Sequence, residues 1–122
     1  MAKCPYCGAP AQLVDSRVIY GRSYGAIWLC RCVDGFAYVG CHPNTTTPLG
    51  TLADRATRAW RSRAHRAFDP LWRNGAMSRT AAYRWLADML GITGEACHIA
   101  RADIEMCRRI VGVCRAAKPR PD

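Results

Sequence analysis

The sequence predicts an α+β chain: a short antiparallel β-ribbon at the N-terminus, packed on a small C-terminal region of three helices. Three observations predict it. Cysteines gather at both ends of a strand-rich stretch, residues 4–42. A linker with two prolines, a threonine run and a glycine, "HPNTTTPLG", follows at residues 42–50. From Thr51 onward the apolar residues stop alternating and recur at the spacing of a helix. The expected division is 1–45 for the ribbon and 46–122 for the helical region, the two forming one compact unit.

Within the ribbon, "AQLVDSRVIY" mixes β-branched and apolar residues around a turn signal at Asp15-Ser16. "GRSYG" is a turn-rich link, "AIWLC" a second strand and "FAYVG" a third. A piece this small buries too little apolar surface to hold itself together, so it needs a metal or disulfides. Eight cysteines in 122 residues answer that need. The opening "MAKCPYCGAP" has no apolar run of the signal-peptide kind, and no stretch approaches the length of a membrane span. The expectation is a cytoplasmic chain without a membrane partner. Its thiols stay reduced and serve as metal ligands or core residues.

The N-terminal Cys4-Pro-x-Cys7-Gly places two thiolates a turn apart, with Gly8 letting backbone amides approach the sulfurs. Twenty-two residues separate Cys7 from Cys30, enough for a hairpin out and back. The pattern fits a zinc ribbon holding one structural zinc. Spacing leaves the fourth ligand open. Cys32 stands one residue from Cys30, a tighter chelate than usual; Cys41 needs a looping "VDGF" to close; His42 offers a Cys3His site. A closed four-ligand site has no open position for an activated water, so the metal's expected role is structural.

Thr51 with Asp54 three residues on signals a helix start, and the helix is expected to reach about Phe68. One side carries Ala53, Ala56, Trp60, Ala64, Ala67 and Phe68; the other carries Arg55, Arg58, Arg63 and Arg66. Asp69-Pro70 opens a short turn. Ser78 caps a helix over 79–90 with Ala82, Leu86, Met89 and Leu90 inward and Gly91 as its stop. A last helix over 102–116 buries Ile104, Cys107, Val111 and Cys114, and "KPRPD" ends the chain as a frayed tail. Cys97, Cys107 and Cys114 are expected to pack in the core as small apolar residues.

Charge bears on partners. The chain carries 18 basic and 9 acidic residues, net +9, and the surplus is densest over residues 51–76. A GC-rich coding bias also produces such a chain, with Arg far outnumbering Lys. The unmatched arginines Arg55, Arg58, Arg63 and Arg66 nevertheless suit phosphates of DNA or RNA, or an acidic protein. Tyr24 and Tyr38, on or beside the ribbon strands, are placed to stack on bases. No glycine-rich phosphate loop, paired carboxylates or nucleophile motif is present, so a binding module is expected rather than an enzyme. The one acid–base set is His65, Asp69 and His98, in which His65 and Asp69 are four apart at a helix end.

Two resemblances add to this. "CPYCGAPAQLVDSRVIYGRSYGAIWLC" resembles the small zinc ribbons at the C-terminus of bacterial type IA topoisomerases, with Cys-Pro-x-Cys-Gly, a strand, a Tyr-Gly turn and an aromatic strand into Cys. That resemblance implies binding of single-stranded DNA. The whole chain is similar to an uncharacterised zinc-finger-containing family common in tailed phages and prophages. The matching stretches are "CPYCG", "VIYGRSYG", "AYVGCH", "TTTPLGTLA", "RAHRAFDPLW", "MSRTAAYRWLADMLGI" and "CHI". In that family the second half runs Cys-x-x-Cys into an Ala-Tyr-Val-Gly segment. By that likeness Cys32 takes the place of the second cysteine, with Cys41 its rival and His42 behind. That resemblance adds little for function; the charged face and the aromatics give the expectation of a phage-type accessory or regulatory factor that binds nucleic acid, with a module that inhibits or redirects a host protein complex as the alternative and a nuclease using His65, Asp69 and His98 as the least favoured.

Overall fold

The computed structural model describes residues 2–75 and 77–117; the tail "KPRPD" lies outside them. The chain divides into two compact units, Met1–Arg58 and Ala59–Asp122. Among the described residues no helix is long and apolar enough to cross a membrane.

The first unit is a three-stranded antiparallel meander in the order β1-β2-β3, with β1 at Gln12–Asp15, β2 at Ala26–Cys30 and β3 at Ala37–Gly40. The turn signal at Asp15-Ser16 is realised: β1 ends at Asp15. Asp15 Oδ1 accepts from the Arg17 amide at 2.8 Å, and its other oxygen accepts from the Ser23 hydroxyl at 2.9 Å. The buried Ser16 hydroxyl accepts from the Tyr24 amide at 2.7 Å. These short polar bonds turn the backbone locally, as Asp and Ser do at turns. A single helical turn follows, α1 at Arg17–Tyr20, ended by Gly21 at φ +75°. Strand alternation then sorts side chains to two faces. On β2, Ile27 and Leu29 are fully buried, while Trp28 and Cys30 turn to the opposite face and pack beside Cys4, Ala11, Ala37 and Leu52.

The next helix, α2 at Arg55–Phe68, starts three residues later than a Thr51 cap implies. Residues 51–53 are used elsewhere. Ala53 exchanges two backbone hydrogen bonds of 3.1 Å with Tyr38, which covers the open edge of β3. Asp54 is therefore the cap, its Oδ1 accepting from the Thr57 amide at 2.9 Å. Ala56, expected inward, is exposed, and Thr57 is the buried residue of that first turn.

The second unit contains the rest of α2, a short α3 at Pro70–Arg73, α4 at Arg79–Leu90 and α5 at Ile104–Ala117. Ser78 caps α4 through the Ala81 amide at 3.0 Å, and Gly91 ends it in the left-handed conformation. Phe68, Leu86, Ile99, Cys107 and Cys114 are fully buried in one core. The three cysteines Cys97, Cys107 and Cys114 are thus packing residues. Met89 is 52% exposed, contrary to the periodicity reading. The buried stripe runs through Ala82, Leu86, Ala87 and Leu90, which leaves Met89 roughly a quarter turn off its centre. Asp103, not Ala102, caps α5, accepting from the Met106 amide at 2.8 Å.

Two substitutions test this core. Leu86→Ala should lower stability by about 2–5 kcal/mol, and Ser78→Ala by about 1 kcal/mol, both read from urea unfolding. Equal effects of the two would contradict the burial of Leu86.

Candidate metal centre and tyrosine groove

The knuckle forms because its sequence closes a tight turn. The Cys4 carbonyl accepts from the Gly8 amide at 2.8 Å, and the Cys4 amide donates to the Ala9 carbonyl at 2.9 Å. Gly8 sits at φ +78°, where a side chain is strained. Cys30 is the last residue of β2, and alternation puts residues i and i+2 on the same side of a strand. A Cys-x-Cys pair at a strand end can therefore aim both sulfurs one way despite its single-residue gap. The residues that follow are absorbed in a turn, with Gly35 and Phe36 both left-handed and the Phe36 amide donating to Val33 at 3.0 Å.

The result is four sulfurs, of Cys4, Cys7, Cys30 and Cys32, all within 4.8 Å of one another. Cys4 and Cys32 are 3.5 Å apart, Cys7 and Cys30 3.7 Å. A tetrahedral zinc with bonds of about 2.3 Å requires sulfur–sulfur edges of about 3.8 Å. The set fits, and it is a closed four-thiolate site. Without a cation the four thiols share protons unequally. The Cys32 amide and thiol hold the Cys30 thiol below its ordinary range. Loss of water around its sulfur, then proton sharing with Cys30 and Cys4, pushes Cys32 up to about 12. A divalent cation removes this conflict by displacing the protons.

Cys41 and His42 stand elsewhere for a reason of register. Ala37 pairs with Cys30, and Gly40 pairs with Ile27. Cys41 therefore follows β3 at the far end of the hairpin, roughly 13 Å along the strand from Cys30 at about 3.3 Å per residue. It bridges to Pro48 and lines a different feature.

That feature is an open groove of about 1020 Å³ on the first unit. Tyr20, Tyr24 and Tyr38 line one wall, with Cys41, His42 and Asn44 on another. The rings meet edge to face, Tyr20 with Tyr24 at 5.6 Å and Tyr20 with Tyr38 at 6.2 Å between centroids. Hydrogen bonding with Tyr38, then burial, pushes the Tyr20 phenol above its ordinary range. Tyr24 is 70% exposed. Arg58 stacks on Tyr38 at 3.8 Å and donates to the Ala53 carbonyl at 2.6 Å, so its guanidinium is held within the first unit. Arg55 is exposed in the first turn of α2; Arg63 and Arg66 are exposed in its second half, Arg63 lying over Trp60 at 4.7 Å. Tyr20 belongs to the aromatics on or beside the ribbon strands that the sequence offers for stacking, and it lies between Tyr24 and Tyr38 in the groove.

The acid–base set does not assemble. His65 Nδ1 is 3.5 Å from Asp69 Oδ1, but that oxygen also accepts from the Trp72 indole at 3.2 Å, and Arg73 lies 3.7 Å from the other. Asp69 thus ties the corner between α2 and α3. His98 lines a separate hollow from the one that His65 and Asp69 share.

Elemental analysis should find one zinc per chain. Cys4→Ser and Cys32→Ser should lose the metal together with the sheet of the first unit, followed by circular dichroism, whereas Cys41→Ser and His42→Ala should keep it. Retention of zinc by Cys32→Ser and its loss from Cys41→Ser would reverse the assignment.

No curated protein and no solved structure matches the chain. One family model does, described as a zinc-finger-containing domain, and it covers residues 1–117. With nearly its whole length matched and four cysteines set for a structural zinc, the chain belongs to the DUF3268 family of zinc-finger-containing domains.

Proposed function

We propose that this protein binds single-stranded nucleic acid, with bases stacking in the tyrosine groove of its zinc-held unit. The observation that carries the reading is the groove itself: three tyrosines in edge contact, one of them largely exposed, beside the hydroxyl- and amide-bearing loop 42–46. Stacking on aromatic rings is tolerant of sequence and contributes about 1–3 kcal/mol per base. Arg22 lies in the chain between Tyr20 and Tyr24 and is exposed, as is Arg55. Both are available for phosphates, and Arg63 and Arg66 add positive charge in the second unit. The net charge of +9 draws a polyanion.

An open groove lined by tyrosine rings suits splayed bases rather than a closed duplex. The likeness to zinc ribbons of type IA topoisomerases supports the same reading. The likeness to a phage and prophage family supports an accessory or regulatory role in the bacterial cytoplasm. The structural zinc holds the groove's unit and takes no part in chemistry.

Fluorescence anisotropy with labelled single-stranded DNA and RNA tests this. Binding should exceed that of the matching duplex, fall steeply as salt rises, and weaken about tenfold in Tyr24→Ala. No binding at low salt sinks the proposal. A pull-down that instead yields one stoichiometric, nuclease-resistant host protein would favour a protein-docking module.

A further inference from the structure

A second cavity lies wholly within the helical unit and has no part in the reading above. It opens between one stripe of α4 and the loop 92–98 that follows that helix, and its volume is about 550 Å³. That is the size range of sites for small molecules. Arg79, Thr80 and Arg84 line it from α4, and His98 faces them from the loop. Asp88 is the single acid of its wall. The remaining wall is apolar: the Tyr83 ring, Ala87, Ile92 and the buried Cys97. Burial pushes both the Tyr83 phenol and the Cys97 thiol above their ordinary ranges, so neither adds negative charge. Two guanidinium groups thus face one carboxylate, with the His98 imidazole lining the same cavity.

The arginines differ in freedom. Arg79 is pre-positioned by stacking, 5.1 Å from the Tyr83 centroid and 5.8 Å from that of Trp72. Arg84 is exposed and pairs with no acid among the described residues. Behind the cavity, Tyr83 packs on Phe68 at 4.6 Å, which keeps that wall rigid. A stacked cation, an exposed cation and the Thr80 hydroxyl on one side suit a phosphoryl group, for which arginine is the better fork. The apolar side suits a body such as a nucleobase.

We propose that this cavity binds a nucleoside 5′-phosphate, the phosphoryl group held by Arg79, Arg84 and His98 and the base lying toward Tyr83 and Ile92. The same chemistry is presented by a free mononucleotide and by the 5′-phosphorylated end of a strand.

Isothermal titration of the zinc-loaded full chain with AMP, GMP, CMP, UMP and dTMP tests it, the unphosphorylated nucleosides serving as controls. At least one monophosphate should saturate a single site per chain while its nucleoside does not bind. Arg84→Ala should weaken that binding by about tenfold or more. Arg101→Ala removes the same charge from an exposed position outside the cavity and should leave binding unchanged. Tyr24→Ala should also leave it unchanged, which separates this site from the tyrosine groove. Displacement of the bound monophosphate by a 5′-phosphorylated dinucleotide, and not by its 5′-hydroxyl form, identifies a strand end as the source; no displacement identifies the free nucleotide. Absence of saturable binding by all five, or equal weakening in Arg84→Ala and Arg101→Ala, overturns the proposal.

Discussion

The first unit depends on the closure of two short, distant pieces of chain around one metal. Its fully buried apolar set is small, chiefly Leu29, Leu52, Ala37 and Cys4. A core of that size offsets little of the conformational entropy lost by some 58 residues, at about 1–2 kcal/mol of backbone entropy each. Zinc bound by four thiolates contributes on the order of 10 kcal/mol or more in small zinc-held folds. Cys4 and Cys7 come from a turn at the start of the chain, Cys30 and Cys32 from the end of β2. The metal thus fixes where the N-terminal knuckle sits on the sheet, and the meander's register fixes the rest.

From that register the division of labour follows. The hairpin β2–β3 has its Cys30–Ala37 end at the metal and its Ile27–Gly40 end at the tyrosine groove. The metal site and the groove thus lie at opposite ends of the same strands. This is why Cys41 and His42, ligand-like in sequence, line the groove of edge-packed rings. In the helical unit, Phe68, Leu86, Ile99 and Cys107 with their neighbours supply an ordinary apolar core.

Much of this was legible from the residues. The α+β class followed from the change of apolar period, and the structural zinc from the Cys-x-x-Cys-Gly turn and its spacing to Cys30. Both ends of α4 were written as Ser78 and Gly91, since capping is local chemistry. What was not legible was non-local. The start of α2 depends on β3 needing a partner for its edge, which draws in residues 51–53. The turn at Asp15-Ser16 was legible, but not the single helical turn Arg17–Tyr20 beyond it, which is set beside side-chain bonds between residues eight apart. Arg58 looked like part of a free basic face because nothing local announces that Tyr38 will lie beneath it at 3.8 Å.

One side chain of the knuckle reaches past the sulfurs. Tyr6, between Cys4 and Cys7, accepts from the Asp54 amide at 2.9 Å and shares a hydrogen bond of 3.1 Å with the Thr57 hydroxyl. The turn that carries half the ligands therefore also clamps the first turn of α2. One phenol thus couples the knuckle to the helix: the closure that seats the sulfurs also seats the helix end that bears Arg55 and Arg58.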